Sequence, residues 1–375
     1  LQQNGELARD YIFGDGSGPL GRPVSLASFV LEKLYLGDSS SISKRVNILL
    51  HLLNGSLVAW LLLVMFRAID LPAHRPLAVV LAAVWLLSPL YVSTVLYIVQ
   101  RMAMLATTFM LLALICYCQW RERLLRGENR VALLLAVPLF WVLALFAKEN
   151  AIILVPVLLL VEALWFQFRG AGGKILGWLR WVTLVAIGLG GLGLLLFLAL
   201  DYRDLAASYG NRYFSLEERL LTESRILWDY AGQLLWPEVN RMGLYHDDVT
   251  VSRSLRDPVT TLYALAGWAL VLVASVVAMR WRTGRYLALG PLWFLAGHSA
   301  ESTVWPLELY FEHRNYFPAI GLLLIPAILL GRLIALWPQV RAPLLVYVAC
   351  YGLWLATLTS SQVSIWSSRP LLTFN

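Results

Sequence analysis

The chain has 375 residues, of which 59% are hydrophobic and only 14% are charged, with a formal net charge of +7. Soluble domains carry about a quarter charged residues, so this composition excludes an ordinary soluble globular fold. The positive charge does not indicate a nucleic-acid partner, because the Lys and Arg side chains lie in short loops between long apolar runs. The composition predicts an all-α integral membrane protein.

The apolar runs predict the membrane-crossing helices. Each run has about 20 residues, which matches the roughly 30 Å of hydrocarbon that a helix must cross. We predict a polytopic helix bundle of about ten spans, at residues 46–66, 76–97, 100–120, 131–147, 151–168, 181–200, 259–279, 286–299, 316–335 and 342–360.

The charges in the loops predict the orientation of the chain, because cytoplasmic loops carry an excess of Lys and Arg. One alternating set of loops has that excess and few acids, through Arg67, Arg75, Arg121, Arg123, Arg126, Arg130, Arg169, Lys174, Arg180, Arg280, Arg282, Arg285, Arg332 and Arg341. The other set holds most of the acidic residues. We expect this second set to face outward, into the periplasm from a bacterial inner membrane or into the lumen from an endoplasmic reticulum membrane.

This alternation divides the chain into five parts. They are a first outward loop (1–45), membrane helices (46–200), an outward segment with an amphipathic helix (201–258), membrane helices with an outward motif at 298–318 (259–360), and an outward tail (361–375). In the segment 201–258, Ser215 and Glu218 have capping-box spacing and precede apolar residues at helical spacing. His246, Asp247 and Asp248 offer ligands for a divalent cation, although a solvated turn is the favoured interpretation.

Charged residues also lie beside the first spans. The glycine-rich stretch 14–23 contains Asp15 and Arg22 and lacks the lysine spacing of a phosphate-binding loop, so it is typical of a turn-rich loop. Arg101 and Lys148 lie in outward turns. Such side chains either extend to the interface or hold an anion.

The richest group of ionisable residues lies between two apolar spans, at His298, Glu301, Glu308, Glu312, His313 and Arg314. The heptad spacing of His298, Glu301, Trp305, Glu308 and Glu312 would place them on one face of a continuous helix, but Pro306 argues against an unbroken helix. Ionisable groups packed beside membrane spans are costly, which favours a functional site over a solvated loop with an aromatic belt.

Several segments resemble the GT-C membrane glycosyltransferases, in particular the transmembrane and tetratricopeptide-repeat protein O-mannosyltransferases and their bacterial relatives. The matching segments are 21–25, 47–54, 98–106, 147–149 and, as the longest and most specific, Pro306–Pro318. The resemblance implies a bundle of about a dozen helices whose first outward loop carries an acidic pair with the catalytic base. It places that pair immediately before Leu1, after one further span, and in relatives soluble repeats often follow the last span.

The implied reaction is an inverting transfer of a sugar from a polyprenyl-phosphate donor to a hydroxyl of a protein or glycan acceptor on the outward face. A carboxylate would deprotonate the acceptor while cations stabilise the departing lipid phosphate. The acid candidates are Asp15, as a substitute for the missing pair, with Glu301, Glu308 and Glu312. The donor-binding candidates are Arg22, Arg101, Lys148, His298, His313 and Arg314. The lipid-linked donor, the acceptor and membrane lipids are the expected partners, and a divalent metal stays an open possibility.

Two other functions remain open at this point. An O-antigen-ligase-like or polymerase-like glycan transferase also combines many spans with a long outward loop, but it would rely on Arg and His residues within that loop. A transporter or flippase would place ionisable residues near the bilayer midplane and often has paired halves, whereas no internal repeat is visible here.

Overall fold

The computed structural model describes residues 2–14, 16, 18–243, 246 and 249–367. Within these ranges the regular structure is helical and no strand forms. The α-helices are α1 (Gln2–Gly14), α2 (Pro23–Tyr35), α3 (Ser40–Ala68), α4 (His74–Leu86), α5 (Val92–Leu96), α6 (Arg101–Leu125), α7 (Val131–Ala147), α8 (Leu154–Leu160), α9 (Gly177–Ala207), α10 (Leu216–Leu235), α11 (Thr260–Ala278), α12 (Arg282–His298), α13 (Ala319–Leu322), α14 (Leu324–Leu336) and α15 (Arg341–Ser367).

The fold is all-α and of membrane type, but the predicted count of ten spans is not confirmed. Seven helical stretches of the described residues are long and apolar enough to cross a membrane, or eight if the pair formed by 74–86 and 89–96 counts as one span. That pair bends by 52° at its break. The remaining two predicted spans correspond to α7 and α12, each of 17 residues, and the first turn of α12 contains Arg282 and Arg285.

The boundaries also differ from the prediction at three places. The first outward segment is not a simple loop, because α1 and α2 lie within 1–45 and α3 already begins at Ser40. Helix α9 continues beyond its predicted end to Ala207. Helix α15 extends to Ser367, past residue 361, where the tail was predicted to begin. The ends of α3, α9 and α15 contain polar residues, so a prediction based on apolar runs stopped short of the ends of these helices.

The amphipathic helix predicted in the long outward segment is confirmed as α10. Ser215 accepts a hydrogen bond from the Glu218 backbone N–H at 3.2 Å, and the Glu218 carboxylate accepts one from the Ser215 N–H at 2.8 Å. This reciprocal pair satisfies two helix-end donors. The side of α10 that carries Ile226, Tyr230 and Leu234 is buried.

The two loop sets predicted from charge lie at opposite ends of the bundle. Among the described residues, the charged side chains of one loop set form ion pairs with residues of that same set, and no ion pair joins the two sets. One end, here called the motif end, joins the first outward segment, residues 148–150, the segment 201–258 and residues 299–315. The opposite end joins the arginine-rich loops, for example through Arg67 and Glu122 and through Arg285 and Gln167. Which end faces the cytoplasm stays a prediction.

A polar stripe on α3 holds the bent pair α4–α5 in place. Asn47 and His51 lie on one face of the helix because they are four residues apart. Asn47 Nδ2 donates to the Val95 carbonyl at 3.1 Å, and His51 Nε2 lies 3.1 Å from the Leu86 carbonyl oxygen. Carbonyls at a helix end lack partners within the helix, and water is scarce at membrane depth. The stripe supplies those partners.

The same stripe anchors the outward motif in the bundle. Tyr316 Oη lies 2.8 Å from His51 Nδ1 and accepts a hydrogen bond from Asn54 Nδ2 at 3.3 Å. The rings of Trp85 and Tyr91 pack against Tyr316, with centroids 4.8 and 5.2 Å away. The end of the motif therefore has a fixed position relative to α3 and α4.

Candidate functional site

The motif 298–318 is an irregular segment between two helices. Helix α12 ends at His298, a short 3₁₀ helix covers Glu312–Asn315, and α13 begins at Ala319. The residues between lack a continuous helix, as Pro306 led us to expect. Their side chains therefore point in several directions and do not form the single stripe that their spacing allows.

Glu301 is the acid of the motif that pairs with a cation from the first half of the chain. Lys148 Nζ donates to Glu301 Oε1 at 2.6 Å, and Asn150 Nδ2 donates to Oε2 at 3.2 Å. The Lys148 and Glu301 side chains are 11% and 15% exposed. Both carboxylate oxygens thus have partners, and the pair keeps limited access to solvent.

A second ion pair continues this arrangement toward the first outward segment. Arg22 forms a two-pronged pair with the Glu149 carboxylate, with Nε 2.9 Å from Oε2. Glu149 follows Lys148 directly, and Arg22 also interacts electrostatically with Glu301. We call Arg22, Lys148, Glu149, Asn150 and Glu301 the motif-end cluster. It brings together three segments that are far apart in the sequence.

The backbone before α2 is shaped to present Arg22. Arg22 has φ 50°, a left-handed conformation that is uncommon for a residue with a side chain, and the ion pair with Glu149 holds it there. Gly18 has φ +80°, and a Cβ atom at this position would lie 3.1 Å from the Arg22 guanidinium. A glycine at position 18 therefore gives both the turn and the space that Arg22 needs.

The electrostatics of the cluster keep Glu301 ionised and His313 neutral. Burial by itself would raise the pKa of Glu301, but the charge of Lys148 leads the opposing effects, which hold that pKa well below its usual value. Burial, and next the charge of Lys148, hold the pKa of His313 well below its usual value. At neutral pH the pair Lys148 and Glu301 is thus a charged unit beside a neutral imidazole.

The Arg314 side chain stabilises the irregular backbone of the motif through hydrogen bonds. Its guanidinium donates to the carbonyls of Leu309, at 2.9 Å, and Glu308, at 2.6 Å, and its side chain is 2% exposed. Arg219 of α10 plays a matching role, since it donates to the carbonyls of Thr303 and Glu301, each at 2.8 Å. Both arginines bind backbone oxygens, so they are poorly placed to contact a ligand.

Glu308 and Glu312 have different surroundings from Glu301. Glu312 is buried, and its Oε1 accepts from the Gly243 N–H at 3.0 Å and lies 3.1 Å from His246 Nε2. Glu308 is 56% exposed and pairs with Arg212 at 3.1 Å. Glu312 thus stabilises the loop around residue 243, whereas Glu308 lies at the surface.

Arg101 and His298, two further donor-binding candidates, are enclosed. Arg101 is the first residue of α6, is 1% exposed, and pairs with Glu32 and with Asn47 Oδ1 at 2.8 Å. Its Nη1 is buried and has no hydrogen-bond partner among the described residues. His298 is buried, and its ring stacks on Tyr230 with centroids 5.5 Å apart. Neither side chain reaches the motif-end cluster through a hydrogen bond.

A large groove adjoins the motif-end cluster. Its volume is about 1130 Å³, and its apolar wall includes Leu7, Tyr11, Leu26, Phe29, Tyr97 and Val99. Met102 lines the groove as well, and its sulfur lies 3.4 Å from Arg22 Nη1. We call this the α1–α2 groove. It connects an apolar surface with the cationic side of the cluster.

Some predicted site residues lie outside the described part of the chain. Asp15 is one of them, and so are Asp247 and Asp248 of the possible cation site. Among the described residues, no group of three or more His, Cys, Asp or Glu side chains could hold a metal ion.

The site contains residues that sequence reasoning gave no role. Glu32 neutralises Arg101, Asn150 supports Glu301, and Arg219 shapes the motif. The polar stripe of α3 had a visible signal, because amide and imidazole side chains recur there at helical spacing within an apolar run. Glu32 and Arg219 had no such signal, since their partners lie 69 and more than 80 residues away along the chain.

Comparisons of the chain with protein-family models, with curated proteins and with solved structures give no match. The support for a function therefore comes from two sources. They are the sequence motifs that resemble the GT-C glycosyltransferases and the geometry of the motif-end cluster with its groove.

Proposed function

We propose that this protein is a membrane glycosyltransferase that moves a sugar from a polyprenyl-phosphate donor to a hydroxyl acceptor at the motif end. The observation that carries the proposal is the motif-end cluster, in which Arg22 and Lys148 pair with separate carboxylates and Arg22 also contacts Met102 at the wall of a large, mainly apolar groove. A lipid-linked sugar phosphate needs this combination. Its phosphate requires cations, and its chain requires an apolar surface that is open at the side.

The structure ranks the candidate cations by access. Arg101 and Arg314 have side chains that are at most 2% exposed and have carboxylate or carbonyl partners. Lys148 and Arg22 are 11% and 23% exposed, and each pairs with one carboxylate. An incoming phosphate can share or replace one carboxylate partner more easily than it can displace several buried ones. We therefore assign phosphate binding to Lys148 and Arg22.

Glu301 has the role of a positioning residue in this proposal. A general base works best when its pKa lies near the working pH, whereas the pKa of Glu301 is held well below its usual value. Its carboxylate also accepts from both Lys148 and Asn150. Glu301 would orient the ammonium group, and proton removal would fall to another carboxylate, for which Asp15 is the sequence candidate.

The test measures binding of a polyprenyl-phosphate sugar to the purified chain in detergent micelles. Lys148→Met and Arg22→Gln should each weaken binding by roughly tenfold to a hundredfold, the range expected when a charge-assisted hydrogen bond is lost. Lys174→Met is the matched control, because it removes the same charge from an exposed position at the opposite end. The proposal fails if both variants stay folded and bind the donor as tightly as the unaltered chain.

The rival functions receive less support from the site. A transporter would place ionisable pairs near the bilayer midplane, but the ion pairs of the described residues lie at the two ends of the bundle. A ligase-like transferase would use Arg and His residues of the segment 201–258. There, Arg219 binds backbone carbonyls and His246 contacts Glu312, which are roles in holding the loops.

A further inference from the structure

A second polar groove lies between α10 and the first turns of α11. It consists of two pockets of about 180 and 560 Å³ that share Arg225, Asp229 and Arg241 in their walls. Tyr310 lines the smaller pocket and Tyr263 lines the larger one. We call it the α10–α11 groove. None of these five residues belongs to the motif-end cluster, and the groove has no part in the reaction proposed above.

Arg225 is a partly buried cation without an acidic partner among the described residues. Its Nη1 donates to the Thr250 carbonyl at 2.8 Å and to Ser252 Oγ at 3.3 Å, both of which are neutral. Burial lowers the pKa of Arg225. A guanidinium in such a position keeps unused N–H donors and lacks a nearby negative charge, which makes it a natural partner for an anion.

Arg241 adds a second cation whose partner is shared. Its guanidinium pairs with Asp229, whose other oxygen accepts from Tyr310 Oη at 2.7 Å, and it lies 3.7 Å from the Glu238 carboxylate. The Arg241 and Glu238 side chains are both more than half exposed, so that longer contact is weak. Inside the groove, two guanidinium groups face one carboxylate, which leaves a net positive charge.

The groove continues onto an apolar helix surface. Thr260, Tyr263 and Gly267 of α11 line it, and α11 is one of the helices long and apolar enough to cross a membrane. Further along α11, Leu270 is 68% exposed and Val273 is 60% exposed. An anion held in the groove could therefore carry hydrocarbon chains along α11. A water-soluble anion would leave that apolar surface uncovered.

The exposed aromatic rings place the groove at the level of a membrane surface. Trp228 of α10 lines the larger pocket and stacks on Trp268 of α11, with ring centroids 4.3 Å apart, while its Nε1 donates to the Ala264 carbonyl. The Tyr263 side chain is 67% exposed. Trp and Tyr are enriched at the headgroup level, where one edge of the ring meets hydrocarbon and the other meets polar groups.

We propose that Arg225 and Arg241 bind the phosphate group of an anionic membrane lipid whose hydrocarbon chains lie along α11. The phosphate would take up the free N–H donors of Arg225 and share Arg241 with Asp229. Tyr263 and Trp228 would flank the headgroup. This site is separate from the motif-end cluster and concerns a structural lipid of the membrane, not the sugar donor.

The test uses the full chain in nanodiscs of phosphatidylcholine that contain increasing amounts of phosphatidylglycerol, with bound lipid counted by native mass spectrometry. Arg225→Gln should weaken retention of phosphatidylglycerol by about tenfold or more, and Arg241→Gln by a smaller factor. Arg253→Gln is the matched control. Arg253 lies in the same outward segment and pairs with Glu218 at 2.7 Å, outside the groove.

Two further measurements separate lipid binding from other causes. Arg225→Lys keeps the charge and should retain lipid better than Arg225→Gln, whereas a general loss of folding would affect both variants equally and lower their unfolding temperatures. Glycerol 3-phosphate carries the same phosphate without hydrocarbon and should not displace the lipid. Equal retention by Arg225→Gln and the unaltered chain, or full displacement by glycerol 3-phosphate, would overturn the proposal.

Discussion

The two ends of the bundle each contain an ion pair between distant segments, but the pairs differ in access. At the opposite end, Arg121 and Glu162 are 0% and 1% exposed. At the motif end, Lys148 and Glu301 are 11% and 15% exposed. The chemistry of the contact is the same, a cation that donates to a carboxylate. The surroundings decide what each contact can do.

The Glu162 carboxylate is enclosed by donors from its own end of the bundle. It accepts from Arg121 Nε at 2.6 Å, from Tyr117 Oη at 2.8 Å and from the Phe168 N–H at 3.1 Å. We call Tyr117, Arg121 and Glu162 the opposite-end cluster. A ligand could enter it only by removing buried partners, so we interpret it as a structural contact. The motif-end cluster can exchange a partner with a ligand because part of it reaches solvent.

The largest expected effect is the loss of stability when the opposite-end cluster is broken. Arg121→Ala leaves the Glu162 carboxylate buried without its cation, and removal of one partner from a buried pair costs about 3–5 kcal/mol. The free energy of unfolding, measured by denaturant titration in mixed micelles, should fall by that amount. Arg22→Ala at the motif end should cost clearly less, since the Arg22 and Glu149 side chains are 23% and 32% exposed.

A paired substitution distinguishes two causes of instability: the loss of the contact between Arg121 and Glu162, and the burial of one unpaired charge. Replacing both partners, Arg121→Met together with Glu162→Leu, removes the charges as well as the contact, and such replacements are often neutral for stability. The double variant should therefore recover much of the stability that Arg121→Ala loses. If the single variant unfolds as readily as the unaltered chain, the contrast between the two ends is wrong.

Much of the fold could be predicted because membrane helices follow from local composition. Apolar runs predicted the helices that are long and apolar enough to cross a membrane, and the alternation of charge sorted the loops into the two sets that the structure brings together at opposite ends. The bend between α4 and α5 could not be predicted in the same way. The helix ends on its two sides are bound by Asn47 and His51, whose carbonyl partners lie 35 or more residues away along the chain.

The candidate site could be predicted only in part, because sequence identifies charged residues but not their partners. Arg101 and Arg314 looked as suitable for a phosphate as Lys148, since all three are outward cations near a span. Their access differs because Glu32 encloses Arg101 and backbone carbonyls of the motif enclose Arg314. These contacts depend on where α2 and the motif pack in the folded chain, and the local sequence around Arg101 and Arg314 does not predict that packing.

A pH dependence tests the charged state of the motif-end cluster. The pKa of Glu301 is lower in the folded chain than in the unfolded chain, where it is about 4.3. Its contribution to stability is therefore complete above that value and is lost as the pH falls through the folded pKa. Glu301→Gln should cost on the order of 2 kcal/mol at pH 7 and progressively less at lower pH.

The measurement is the unfolding free energy of both chains between pH 7 and pH 3. The difference between the two curves should shrink as the pH falls below about 4.3, because the unfolded carboxyl then takes up a proton while the folded carboxyl is still ionised. Curves that stay parallel across this range would show that Glu301 does not carry the charge assigned to it. The difference between Lys148→Met and the unaltered chain should shrink in the same way, since this variant removes the main charge that lowers the pKa of Glu301.

The smallest expected effect concerns Glu308, the exposed acid of the motif. Its pair with Arg212 at 3.1 Å is open to solvent, and exposed pairs contribute about 0–1 kcal/mol. Glu308→Ala should therefore change the unfolding free energy by less than about 1 kcal/mol. Donor binding should also stay within a few-fold of that of the unaltered chain, because Glu308 makes no contact with the motif-end cluster. A large loss of donor binding in Glu308→Ala, with stability preserved, would mean that the ligand extends from the α1–α2 groove across the surface of the motif. The solvent exposure of Glu301, Glu308 and Glu312 would then not be enough to decide which of them contributes to donor binding.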